Sequence, residues 1–261
     1  MNTERETMQQ KGWVAALLGL TMPGMGQIYN GEALKGICVF VIFIMTYLAG
    51  MRLAVLLPDR LLMAGAGIST AVVLAIYLVA IIDGYRRARR EGTMYRGKAF
   101  NRWYAYLAVW MVESVIIIGG AVGYVKGNIV EPYKIVTTTM EPKILRGDRI
   151  LADKTAYRRI PPKVGDIVVF VYPDDRSKVF IRQIAGLPGD KVKLAGGREE
   201  IVPHGQAYLL GTKPEETIDS RTFGFVSLRD LDGKARQVYW SSGMEGARWS
   251  RIGVTLSGKE G

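Results

Sequence analysis

The sequence predicts a group of membrane helices followed by a mostly β extracytoplasmic domain. Three apolar runs could each cross a bilayer, a basic segment separates the second run from the third, and short β-type runs fill the chain from Lys126 onward. Of 261 residues, 49% are hydrophobic and 23% are charged, with a mean hydropathy of +0.11. This balance is too apolar for an evenly soluble chain and too charged for one wholly in lipid, so we expect the two characters to be segregated.

Residues 1–35 are predicted to be a cytoplasmic or interfacial segment. Their apolar stretch, Trp13–Tyr29, is interrupted by Pro23, Gly24 and Gly26 and is too short to predict a span. No small-residue cleavage site follows it, so it is not predicted to be a cleavable signal peptide. The pattern Pro23–Gly31 resembles the glycine-rich turn that opens two-helix membrane modules of the TM2 type, which implies a membrane anchor.

Residues 36–125 are predicted to form a three-helix anchor. The apolar runs are Gly36–Leu57, Leu61–Ile82 and Ala105–Val125, each of 21 or 22 residues. A helix of that length rises about 1.5 Å per residue and so reaches across the ~30 Å hydrocarbon core. Because three residues separate the first two runs, these are predicted to form a tight helical hairpin.

Basic residues set the predicted orientation of this anchor. The loop predicted over residues 84–104 is cytoplasmic by the positive-inside rule, which places the domain after Val125 outside a bacterial-type inner membrane. The formal charge of +11 also permits a nucleic-acid partner, but few aromatic residues are interleaved with the cations, so a lipid bilayer is the predicted partner and nucleic acid is not. The cations of the loop are Arg86, Arg87, Arg89, Arg90, Arg96, Lys98 and Arg102.

Cysteine and histidine usage excludes several kinds of site. The single cysteine, Cys38, allows no internal disulfide and no CxxC metal site. The single histidine, His204, leaves multi-histidine zinc sites short of ligands, and any Ser-His-Asp triad would have to be built on it. No metal and no cofactor is predicted, and the sequence sets no oligomeric state.

Residues 126–261 are predicted to form the β domain. The continuous apolar run Asp166–Tyr172 and the mostly apolar run Val179–Ala185 are typical of strands, and proline- and glycine-containing turns separate them from later runs. No helical period is long enough to suggest an α/β sheet.

Five ordered segments of this domain resemble the conserved boxes of type I signal peptidases, peptidase family S26. The resemblance runs from about Ile129 to the C-terminus. It implies a β-fold tethered to the outer membrane face, a serine nucleophile with a lysine general base, and signal peptides or precursor proteins as partners. The segments are 131–142 (EPYKIVTTTMEP), 147–154 (GDRILADK), 164–170 (VGDIVVF), 184–190 (IAGLPGD) and 219–224 (DSRTFG).

Carried over residue by residue, the resemblance places the nucleophile on Thr139 and the general base on Arg182, where the family has serine and lysine. The oxyanion-hole hydroxyl falls on Thr137, and the hydroxyl that orients the base falls on Thr217. The residues implied to contact the extended substrate are Ile135, Val136, Thr138 and Met140.

The two substitutions differ in their chemical cost. Threonine can act as a nucleophile beside an amine base, although its methyl group restricts χ1. Arginine, with a pKa above ~12, stays charged and has no lone pair to accept the hydroxyl proton. Loss of the base is expected to remove a factor of order ~10⁴. Activity is therefore predicted to be weak or lost.

Each basic group that could replace the missing base is predicted to have another role. His204, Lys134 and Lys143 are predicted to be solvated surface residues, and Lys154 to be structural.

Three hypotheses about function follow from the sequence: a signal peptidase using Thr139 and an unidentified base, a non-proteolytic binder of signal-peptide-like segments, and a purely structural membrane protein. The last explains the anchor but not the five segments.

Overall fold

The structure, a computed structural model, describes residues 10–91, 101–194 and 196–256. Within the predicted basic loop, residues 92–100 lie outside this description. The chain divides into two compact units. The first contains the described residues of Met1–Leu53 and Ala66–Tyr124, and the second those of Ala54–Gly65 and Val125–Gly261.

Long helices make up most of the first unit, while Ala54 and residues 62–65 and 125–128 of these helices belong to the second. Three helical stretches, Ala33–Ala54, Asp59–Arg90 and Trp103–Asn128, are long and apolar enough to cross a membrane by length and composition. The helices are α1 (Gly12–Thr21), α2 (Met25–Tyr29), α3 (Ala33–Ala54), α4 (Leu62–Glu91), α5 (Trp103–Val115), which continues as a π-helical segment (Ile116–Val122), and α6 (Gly123–Asn128).

Helix α4 continues beyond the apolar run that ends at Ile82, and it extends into the predicted loop of residues 84–104 as far as Glu91. The first part of the predicted basic loop is therefore helical rather than irregular. Arginine and alanine, which make up all of residues 86–90, are among the better helix formers, and the end of the apolar run gives no signal to stop. The apolar run thus indicates which residues can lie in the bilayer, but it does not indicate where the helix ends.

The glycine-rich segment near the N-terminus forms a close contact within the first unit. Gly24 has a φ of 92°, and a Cβ there would lie 2.2 Å from the carbonyl oxygen of Gly36 on α3. The buried Gln27 donates to the carbonyl of Ala80 (2.7 Å), and Asn30 donates to that of Gly84 (2.8 Å). The segment therefore packs against α3 through a close backbone approach that requires glycine, and against α4 through side-chain hydrogen bonds.

The second unit is an antiparallel sheet, which confirms the predicted mostly β domain. Its strand order is β1-β2-β9-β3-β4-β7-β8, with β10 paired to β9 and a separate β5-β6 pair. The long β9 lies between β2 and β3. The strands are β1 (Val130–Lys134), β2 (Asp148–Asp153), β3 (Ile167–Val171), β4 (Val179–Gly186), β5 (Lys191–Lys193), β6 (Glu199–Ile201), β7 (Gln206–Leu210), β8 (Val226–Ser227), β9 (Leu231–Gly243) and β10 (Gly246–Ala247).

Strand β3 explains why its sequence is a continuous apolar run. Ile167 belongs to a core cluster with Ile135, Met140 and Val238. The next residue, Val168, belongs to a second cluster with Phe170 and other residues. Because successive side chains point to opposite faces, a strand buried on both faces carries no polar alternation.

Candidate active site

The candidate site joins the segment after β1 to the middle of β4. Thr137 and Thr139 follow β1, where the chain turns toward β2. Arg182 lies within β4 and is buried on the same face as Ile184, two residues further along. Because alternate side chains of a strand point to the same face, the charged side chain of Arg182 points into the domain together with that of Ile184.

Three of the predicted site residues come together at the hydroxyl of Thr139. Its Oγ1 lies 3.3 Å from Nη1 of Arg182, which donates to it, and 3.1 Å from Oγ1 of Thr137. Within the described ranges, these are the hydrogen-bond partners of that hydroxyl. The Thr139 oxygen therefore faces a cationic donor and a second hydroxyl.

The guanidinium of Arg182 is held by backbone carbonyls. Its Nε and Nη2 donate to the carbonyl oxygen of Ile218 at 3.2 and 2.7 Å, and Nη1 also donates to that of Ile181 at 2.6 Å. The guanidinium carbon lies 5.3 Å from the ring centroid of Phe180. These contacts satisfy a charged group inside the domain and orient it toward Thr139.

Arg182 remains a proton donor at neutral pH. Burial lowers the pKa of its guanidinium to about 10, and the nearby charge of Asp219 opposes that shift. At that pKa, only about one guanidinium in a thousand is neutral at pH 7. The guanidinium beside the Thr139 hydroxyl is thus poorly suited to accept its proton.

Thr217, predicted to orient the base, makes a different contact. This buried residue donates to the carbonyl of Lys213 at 2.5 Å, so Arg182 is oriented by the carbonyl of Ile218 instead. The motif comparison missed Ile218 because a backbone carbonyl is independent of residue type. The one sequence feature that pointed to Ile218 is its position between Thr217 and the segment that begins at Asp219.

The groups considered as substitute bases have other partners or exposed positions. Lys143 donates to the side chain of Gln183 at 2.7 Å. Lys154 lies 2.9 Å from a carboxylate oxygen of Glu131 and forms a second ion pair. Lys134 and His204 are exposed on the domain surface.

The main chain at Thr139 is fixed by a segment that the sequence analysis did not assign to the site. Thr212 donates to the carbonyl oxygen of Thr139 through its backbone N–H (3.0 Å) and its hydroxyl (3.1 Å). At the preceding Gly211, a Cβ would lie 2.3 Å from Cγ2 of Thr217 and 3.0 Å from the Thr139 carbonyl oxygen. Close backbone approach therefore requires glycine there.

Asp219 supports this segment from within the domain. Fully buried, it accepts hydrogen bonds from the N–H of Gly211 (2.9 Å) and from the side chain of Arg221. Burial alone would raise the pKa of Asp219, but the hydrogen bonds from Arg221 and Gly211 outweigh it and hold the pKa below its usual value. The carboxylate therefore stays charged and holds the turn behind Thr139.

The residues implied to contact substrate differ in exposure. Ile135 and Met140 are buried in a core cluster, so a peptide in this region would meet their main chain rather than their side chains. Val136 is 64% exposed, and Thr138 is half-buried and donates to the carboxylate of Glu216 at 3.1 Å. Where the structure describes the chain, no three His, Cys, Asp or Glu side chains form a group that could hold a metal ion.

Comparison with known families decides the ancestry of this domain. Residues 108–201 and 195–240 match the family described as "Signal peptidase, peptidase S26", and together they span about half of the chain. The chain belongs to this family. The S26 match confirms the resemblance found from the ordered segments, and it extends to the apolar helix before the β domain.

Individual relatives support this family assignment. A probable signal peptidase I-2 of Synechocystis is 31% identical over 54% of this chain and 74% of the relative. A probable signal peptidase I-1 of the same organism is 28% identical over 48% of this chain and 76% of the relative. A thylakoidal processing peptidase 1 of Arabidopsis thaliana is 28% identical over 44% of this chain and 43% of the relative.

Among solved structures, a signal peptidase I from Enterococcus faecalis is 21% identical and covers 29% of this chain and 97% of that chain, with a TM-score of 0.27. A TM-score this low adds nothing to the family assignment, which comes from the sequence matches.

Proposed function

We propose that this S26 family member is anchored in a membrane and engages the signal peptides of exported precursors at the outer face, with cleavage that is slow or absent. The observation that carries the proposal is the 3.3 Å contact between Nη1 of Arg182 and the Thr139 hydroxyl. At the position of the general base stands a protonated group that donates to the nucleophile. A hydroxyl cannot be activated by a partner that has no lone pair to offer.

The energetic consequence is large. Where a nucleophile and its base act as a unit, removing one member costs a factor of order ~10⁴ or more in rate. The Thr137 hydroxyl could still donate to a developing oxyanion, since threonine and serine offer the same group. With oxyanion stabilisation alone, the rate of cleavage stays far below that of a site with both nucleophile and base.

A peptide-binding role without cleavage has its own support. Strand β1 lies at the end of the sheet order, and an edge strand can pair with an extended peptide through main-chain hydrogen bonds. Beyond it, Val136 offers exposed apolar surface, and the guanidinium of Arg182 lies behind Thr139 as a fixed cation. This chemistry suits the carbonyl groups and small side chains of a cleavage region.

Purified full-length protein is expected to crosslink a precursor peptide near Thr139 without cutting it. The peptide carries an Ala-x-Ala site and a photoreactive residue beside it, and mass spectrometry measures both cleavage and the crosslinked residues. A peptide with tryptophan at both alanine positions is the matched control. Strong cleavage that Thr139→Ala abolishes would contradict the inactive assignment, and crosslinking no greater than for the control would contradict binding.

Membrane orientation forms a second part of the proposal. We infer that the three apolar helices cross the membrane with the arginine-rich segment inside the cell and the β domain outside, because basic residues are retained on the cytoplasmic side. A reporter enzyme fused after Gly261 is expected to be active only outside the cytoplasm, and one inserted between Arg90 and Arg102 only inside. The reverse pattern would contradict this orientation.

A further inference from the structure

A second candidate binding site lies in the helical unit, away from Thr139. It is a pocket of about 520 Å³ between the start of α3 and the last turns of α4. The pocket lies outside residues 108–240, so the S26 match does not account for it. Its lining residues are Glu32, Lys35, Val79, Ile82, Asp83, Arg86, Arg87 and Arg90.

The two carboxylates of the pocket are already paired. Nζ of Lys35 lies 2.7 Å from Oδ2 of Asp83, and Nε of Arg87 lies 3.2 Å from Oε1 of Glu32. Each pair joins the start of α3 to α4. Four cations therefore face two anions in the pocket, which leaves an excess of two positive charges.

That excess resides on Arg86 and Arg90. Four residues apart on α4, these side chains lie one turn from each other on the same face of the helix. Both are exposed, and in the part of the chain that the structure describes neither forms a hydrogen bond or an ion pair. Two adjacent guanidinium groups that have no partner among the described residues favour a phosphate, which accepts several hydrogen bonds from arginine.

The rest of the pocket is apolar. Val79 and Ile82 lie on the same side of α4, nearer its middle, and are 66% and 40% exposed. Along this face, the surface changes within about two turns from apolar side chains to cations. This order matches a phospholipid, in which glycerol links an anionic phosphate to the acyl chains.

We propose that this pocket binds the headgroup of an anionic phospholipid of the cytoplasmic leaflet. The phosphate lies at Arg86 and Arg90, and the first carbons of the acyl chains contact Val79 and Ile82. The proposal rests on the membrane orientation proposed above. It concerns a different site from Thr139 and requires no peptide.

The test is lipid retention by the full-length protein in detergent, measured by native mass spectrometry with equal amounts of phosphatidylglycerol and phosphatidylcholine. The unmodified protein is expected to retain phosphatidylglycerol preferentially. The double variant R86Q/R90Q should retain it about thirtyfold less well, from about 1 kcal/mol for each cation lost. The matched control, R89Q/R102Q, removes two exposed arginines of the same basic segment that do not line the pocket.

Equal losses in the two double variants would overturn the site in favour of general attraction. The charge-retaining variant R86K/R90K should keep most of the lipid, and a loss as large as that of R86Q/R90Q would contradict the assignment. Displacement of lipid by millimolar glycerol 3-phosphate or inorganic phosphate would identify a free anion as the ligand instead. Circular dichroism checks that each variant is folded, and none of these outcomes bears on the role of Thr139.

Discussion

Replacing Thr139 by serine and Arg182 by lysine together is expected to produce measurable cleavage of a precursor with an Ala-x-Ala site. A lysine at position 182 would be as buried as the arginine, and burial lowers the pKa of an amine, so part of it would be neutral near pH 7. A neutral amine can accept the serine proton. The expected gain over the unmodified protein is of order ~10⁴.

The single changes separate the two contributions. Thr139→Ser alone is expected to give no gain because the guanidinium still donates to the hydroxyl. Arg182→Lys alone should give part of the gain, limited by the threonine methyl group. The rate of the double variant should rise as pH rises through the pKa of the new amine, since the base works only when neutral.

The matched control combines Thr139→Ser with Arg176→Lys. Arg176 pairs with Asp230 at 2.8 Å and its side chain is 67% exposed, so the same kind of substitution there should restore nothing. Cleavage is measured by mass spectrometry of the products, and circular dichroism monitors folding. A folded double variant without activity would show that more than the base is missing from this site.

Arg236→Gln is expected to destabilise the second unit by about 3–5 kcal/mol, because it breaks a buried ionic network. Arg236 is buried in β9 and pairs with Asp153 at 3.2 Å and with Asp59. It also donates to the carbonyl oxygens of Val55 (2.7 Å) and Leu57. One side chain thus joins the turn after α3 to the sheet.

The expected cost lies near the lower end of this range because Asp153 keeps a second partner. Nη2 of Arg159 lies 2.7 Å from its Oδ2. The carbonyls of Val55 and Leu57 lose a charged donor, which is costly where water cannot replace it.

Thermal unfolding of the full-length protein in detergent, followed by tryptophan fluorescence, measures this effect. The midpoint for Arg236→Gln should fall by about 10 °C. Arg176→Gln, which breaks the exposed pair with Asp230, should cost no more than about 1 kcal/mol. Equal shifts in the two variants would show that the network around Arg236 contributes no more than a surface pair.

Strand and helix types in this chain followed closely from local pattern. The apolar run that became β3 was recognised because both of its faces are buried, and the ordered segments identified the S26 family. The loop predicted to begin at residue 84 is helical as far as Glu91, because apolar periodicity reports contact with lipid or core while arginine and alanine continue the helix.

Strand pairing was outside the reach of local pattern. Strand β9 lies between β2 and β3, which are far from it in the chain. The alternation of side chains within a strand does not show which strands pair with it. For the same reason, Thr212 at the Thr139 carbonyl and the carbonyl of Ile218 at Arg182 were not assigned to the site. Both contacts depend on the main-chain path.

The sequence alone determined that position 182 carries a guanidinium, which has no lone pair to offer. It also determined that three apolar segments are long enough to cross a bilayer. Both properties belong to the residues themselves. Whether that cation meets the Thr139 hydroxyl depended on the fold. The pairing of β9 with β2 and β3, together with the turn held by Asp219, sets the distances between residues that the chain order leaves far apart.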